Sequence, residues 1–192
     1  MRDKSLVFFA LRVISLFFVL IFLLYLVLPY YNLLLSLLID PIMTHLYPHF
    51  IYHITAKNEL LEVVTHFAVM DQAQARLAFD INPLKYAYGL PLFIALLVSS
   101  DGPWRDKIWH IMIGFFVLLV SQSWSLCFDI TRHLLFEFSG AYSLHFGYGG
   151  LGKTIVSLGS QLGFLIFPTL IPISLWIFLR ADYFKQLSYL QD

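Results

Sequence analysis

The sequence predicts a membrane all-α bundle of four transmembrane helices, with a small extracytoplasmic β-hairpin and interfacial helices attached. Three observations predict it. Of 192 residues, 59% are apolar and only 12% charged, about half the ~25% charge of soluble domains, and the mean hydropathy is +0.77. Apolar runs near the ~20 residues a span requires occur at about 8–29, 84–100, 108–128 and 154–179. Between the first two, residues 32–83 lose the helical pattern and partly alternate with period two. The whole chain, 1–192, reads as a single membrane domain with this insert.

Met1–Ser5, with Arg2 and Lys4, precedes an apolar run from Leu6 to Tyr31 interrupted only by Arg12. The run exceeds the ~7–15 residues of a secretory h-region and ends in Pro29-Tyr30-Tyr31 with no small-residue cleavage site, so it predicts an uncleaved span. Asn32–Ile54 stays apolar but contains Pro41 and Pro48, which break helices. It predicts short helices along the outer interface, where Tyr30, Tyr31, Tyr47 and Tyr52 suit the depth. In Leu60–Val69, Leu61, Val63, Thr65, Phe67 and Val69 share one face. Arg76–Asn82 repeats the alternation beyond the polar turn Asp71–Gln74, which predicts an antiparallel hairpin.

Asn82-Pro83 ends the hairpin, and a short second span follows from Leu84, with Lys85 placed to snorkel. A polar loop, Asp101–Lys107, leads to the third span, whose helical pattern runs on to about Phe138. Ser139–Lys153 is Gly-rich. The fourth span carries Gly159 and Gly163 as a GxxxG pair for close helix approach, while Pro168 and Pro172 predict a bend. Ser121, Gln122, Ser123 and Ser125 are possible partners for Ser157, Ser160 and Gln161. An even number of spans puts both termini on one side. That side holds Arg2, Lys4, Arg12, Arg105, Lys107, Arg180 and Lys185; the other has Lys57, Arg76, Lys85, Arg132 and Lys153 over longer segments. The bias predicts cytoplasmic termini.

Several motifs bear on chemistry. Zero net charge argues against a nucleic-acid partner. Gly147–Thr154, GYGGLGKT, matches the P-loop pattern letter for letter. That pattern needs a strand before it and an α/β nucleotide domain around it, and here it enters a membrane span, so no nucleotide is expected. His45, His49 and His53 recur every four residues, but Pro48 interrupts the helix that would align them, and no metal or cofactor is expected. The lone Cys127 excludes an internal disulfide. The densest polar group is Asp129, Arg132, His133 and Glu137, read as an interfacial ion-pair cluster. Cys127, Arg132 and His133 are the candidates for thiol catalysis, which needs a base within reach. At about 100° per residue, Cys127 points roughly 120–140° away from Arg132 and His133. No ionisable residue falls mid-span, which disfavours ion-coupled transport.

The stretch NPLKYAYGLPLFIAL, with LLEVVTHFAV and RLAFDI upstream, resembles the family of exosortase H-associated membrane proteins. SQSWSLCFDITRHLLFEF and LGSQLGFLIFPTLIPISLWIFL resemble that family's third and fourth spans, so the resemblance covers about residues 8–180. Its most specific part is Asn82–Leu92; Asn82, Pro83, Tyr86, Tyr88, Gly89 and Pro91 there, together with Gly159 and Gly163 on the small-residue face of the fourth span, are the expected interaction residues. The family is named for its place beside a sorting enzyme of Gram-negative bacteria. The resemblance implies the bacterial inner membrane, an accessory role, and an exosortase or its substrates as partner within the lipid bilayer. It carries over no catalytic residues, since exosortases are larger and place Cys, Arg and His on separate segments. The expected function is a non-catalytic integral accessory protein. A membrane-embedded thiol enzyme using Cys127, or a small lipid-handling or transport protein, are the alternatives.

Overall fold

The computed structural model of the chain describes residues 3–69, 72–138 and 149–181. Its largest element is α1, Asp3–Leu46, which runs through Pro29 and Pro41 without ending. This corrects the interfacial helices expected after residue 32. An interior proline costs a helix about 3 kcal/mol, and one continuous packed face offsets that cost. Leu24, Leu28, Tyr31, Leu35, Ile39 and Met43 are all buried, a stripe at three- and four-residue spacing.

The expected hairpin is a three-stranded antiparallel sheet in the order β1-β2-β3. Here β1 is Ile51–Lys57, β2 is Leu60–Val69 and β3 is Gln72–Ile81. The first strand begins inside the segment expected as interfacial helix and runs three residues past its end. Pro48 disfavours helix at the residue before it, and the β-branched run that follows pairs with β2, Ile54 opposite Val63. Asn58, at φ 54°, makes the two-residue turn, a conformation asparagine tolerates. The third strand begins at Gln72, inside the segment read as a turn; Asp71 lies outside the described residues.

The sheet is tied along α1. Ile54 N–H donates to Asp40 Oδ1 at 2.6 Å, Asn32 Nδ2 donates to the Asn58 carbonyl at 3.3 Å, and the Tyr25 hydroxyl donates to Glu59 at 2.5 Å. Ile51, Ile54, Leu61, Val63 and Ile81 form its buried face.

After β3, α2 (Leu84–Ala87) and α3 (Gly89–Ser99) form one short apolar stretch. It sits at the centre of the bundle, with Tyr86, Ala87, Phe93, Ala95 and Leu97 almost wholly buried. Around it stand α1, α4 (Trp104–His133) and α6 (Phe167–Leu179). A π-helical turn, Leu134–Phe138, extends α4, as the helical pattern to about Phe138 anticipates. Another, Leu162–Ile166, joins α5 (Gly150–Gln161) to α6. Most of the Gly-rich segment, residues 139–148, and the tail from 182 lie outside the described residues. Gly150–Thr154 form the first turn of α5.

Among the described residues, three helical stretches are long and apolar enough to cross a membrane: Leu6–Leu46, Trp104–Glu137 and Gly150–Leu179. Leu84–Ser99 is apolar but shorter. A helix apolar on all sides and this enclosed has its own protein as solvent.

Candidate functional site

Asn82, Lys85 and Asp129 meet where the sheet joins the helices. Asn82 is exposed, and its Oδ1 accepts the Leu84 N–H at 3.0 Å, so one side chain closes β3 and starts α2. Pro83 behind it is buried. The next turn aims Lys85 at α4. Its Nζ lies 2.7 Å from Asp129 Oδ2, a carboxylate only 2% exposed.

The other carboxylate oxygen is shared. Arg132 Nε and Nη2 donate to Asp129 Oδ1 at 3.3 Å, and Ser160 Oγ on α5 donates at 3.4 Å. His133 Nε2 stands 4.0 Å away, and the Tyr86 hydroxyl faces the same carboxylate. His133 Nδ1 lies 2.7 Å from Glu137 Oε1, close enough for an ion pair though not aligned as a hydrogen bond. The His133 ring also meets Phe79 of β3, with centroids 5.6 Å apart. The cluster therefore joins α2, α4, α5 and the sheet. Asp129, Arg132, His133 and Glu137 do stand together, as their helical spacing anticipates. Lys85, Tyr86 and Ser160 were missed as members because their contacts cross between segments; Lys85 read only as a snorkelling residue.

The other singled-out residues are spread through the bundle. Tyr88 donates to the Phe164 carbonyl at 3.4 Å, an acceptor left free because Pro168 has no N–H. Gly89 faces the Pro168 carbonyl so closely that a Cβ there would lie 2.8 Å from the oxygen. Pro91 is buried. Gly159 packs on the Phe128 ring and Gly163 on Ser125, so both glycines face α4 of this chain. Tyr31 donates to Gln122 Oε1. Cys127 packs against the apolar core, while Arg132 and His133 turn to Asp129. His45 ends α1, His49 lies in the following turn and His53 on β1, so the three share no helical face. Among the described residues, no group of His, Cys, Asp and Glu could hold a metal ion.

The profile of the exosortase H-associated membrane proteins matches residues 3–183. The chain belongs to this family. No curated protein and no solved structure matches it significantly. Within this member of the exosortase H-associated family, the Asp129 cluster is the main polar junction of the described helices. What it can do chemically follows from its partners: it locks four elements into one body and leaves its cations partly open. Lys85 and Arg132 side chains are 33% and 36% exposed, facing a cleft beside α5.

Proposed function

We propose that the protein is a non-catalytic inner-membrane accessory that docks an exosortase or its substrate on the upper half of α1. The observation that carries this is a helix too long for its membrane. Forty-four residues make about 66 Å of helix against a hydrocarbon core of about 30 Å. Phe9 stacks on Trp176 near the Asp101 loop, so the excess stands on the sheet side. There Tyr30, Leu33 and Leu37 are exposed, Tyr30 at 78% and Leu37 at 66%. They lie opposite the stripe that packs on the sheet. Water is a poor solvent for that face, and contiguous exposed apolar residues mark interaction sites.

The proposed topology puts both ends in the cytoplasm, with α2–α3 as a fourth span of about 24 Å and the sheet extracytoplasmic. Cys127 packed against the core, with Arg132 held by Asp129 and His133 set between Asp129 and Glu137, supports a role without thiol chemistry. The test is a photo-crosslinking residue at Leu37 in native membranes, alongside Leu37→Asp. We expect a cross-link to a multispan protein or its substrate, loss of co-purification in Leu37→Asp, and full cellular function in Cys127→Ala. Undiminished co-purification in Leu37→Asp, or a dead Cys127→Ala at normal protein level, would overturn the reading.

A further inference from the structure

A cleft of about 490 Å³ opens beside the Asp129 cluster, between α4 and the α5–α6 helix. Lys85, Arg132, Ser157 and Gln161 line its polar side, and Phe136 and Phe164 its apolar side. Two cations there share one carboxylate. Lys85 spends one ammonium proton on Asp129 and Arg132 gives Nε and Nη2, at a long 3.3 Å. Two ammonium protons and the Arg132 Nη1 group remain directed elsewhere. Among the described residues, the Ser157 hydroxyl and Gln161 amide have no partner either. Lys153 stands one turn before Ser157 on the same face of α5. The lining is therefore rich in donors, and Lys85 and Arg132 against Asp129 leave it one positive charge in excess, Glu137 standing outside it beside His133.

Depth identifies what meets it. Trp176 Nε1 donates to Ser100 Oγ at 3.4 Å, at the level of the Asp101 loop. Ser160 lies about 24 Å further along the helix at 1.5 Å per residue. In a hydrocarbon core of about 30 Å, that is the edge of the leaflet on the sheet side. Tyr25 and Glu59, bonded at the foot of the sheet, stand at the same height above Phe9.

We propose that this cleft binds the phosphate of an anionic phospholipid headgroup from the sheet-side leaflet. A phosphodiester is an acceptor-only anion, and Lys85, Arg132, Ser157 and Gln161 supply donors around it, the arginine able to engage two oxygens. Phe164, one turn nearer the membrane centre, lies against an acyl chain, and Phe136 covers the headgroup from above. This site is independent of the docking face on α1, which lies on another helix.

The test is native mass spectrometry of the purified full chain after equilibration with equimolar phosphatidylglycerol and phosphatidylcholine, with and without excess inorganic phosphate. The intact protein should retain phosphatidylglycerol several-fold over phosphatidylcholine: both offer the phosphodiester, but the surplus positive charge of the cleft repels the choline cation. Ser157→Ala/Gln161→Ala, which leaves the Asp129 pairing untouched, should cut retention of phosphatidylglycerol several-fold, and Arg132→Gln should abolish its preference over phosphatidylcholine while Arg132→Lys, which keeps the charge, retains most of it. Thermal unfolding of the double variant should match the parent. Equal retention of both lipids, or a preference unchanged in every variant, overturns the proposal. Binding of inorganic phosphate without lipid preference overturns it equally.

Discussion

Asp129 receives Lys85 from α2, Arg132 from its own helix and Ser160 from α5, yet is itself almost wholly buried. Breaking a buried ion pair leaves a charge without compensation, at about 3–5 kcal/mol. Because Lys85 and Arg132 retain some exposure, Asp129→Ala should cost less, about 2–4 kcal/mol, read as a lower unfolding temperature in mild detergent. Replacing the pair together, Lys85→Met with Asp129→Leu, should recover much of that loss, since an apolar pair often substitutes for a buried ionic one. The exposed pair Lys57–Glu62, at 2.5 Å on the sheet's outer face, is the control: Lys57→Gln should leave the unfolding temperature unchanged. If Asp129→Ala behaves like Lys57→Gln, the cluster does not hold the bundle together. The local half of this site was legible in sequence, since Asp129, Arg132, His133 and Glu137 are helical neighbours. Lys85 and Ser160 were not, because no periodicity relates residues on different segments.

Among the elements, α3 is the axis of the bundle although it is only 11 residues long. Its contact with α6 depends on two prolines and a glycine. Pro168 and Pro172 lack the N–H groups that would occupy the carbonyls one turn earlier. One freed carbonyl takes the Tyr88 hydroxyl, and the other lies against Gly89. Gly89→Ala would force a Cβ to 2.8 Å from backbone oxygen, which cannot move as a side-chain end can. It should cost about 1–3 kcal/mol, typical of overpacking, whereas Gly150→Ala, which meets open space, should cost nothing. Equal unfolding temperatures for the two variants would refute the close contact. The strand β1 shows why element type was only partly readable. Its apolar residues fit either an interfacial helix or a strand, and pairing with β2, across the Asn58 turn, selected the strand.

For the whole molecule, the proposed topology is a statement about which loops see which compartment. In a Cys127→Ala background, single cysteines at Lys57 and Asp101 should separate cleanly. Lys57→Cys should react with a membrane-impermeant maleimide in intact cells, and Asp101→Cys only after permeabilisation. Labelling of both from the same side would mean that α2–α3 does not cross. The charge bias allows the expectation, since Arg12, Arg105, Lys107 and Arg180 gather at the Asp101 end; Gly102 lies against the Arg180 guanidinium.

Composition and spacing alone set the solvent, the long apolar helices, the period-two segment and the polar run on α4. All of these are written in composition or in spacing along one element, where a residue's neighbours are fixed by covalent geometry. Tertiary structure decided that α1 continues through Pro29 and Pro41, because packing on α3 and the sheet outweighs a missing hydrogen bond. It also decided that the strand before Asn58 joins the sheet and that the paired glycines serve an internal contact. It assembled the Asp129 cluster from segments dozens of residues apart, and such pairings depend on which surfaces meet after folding.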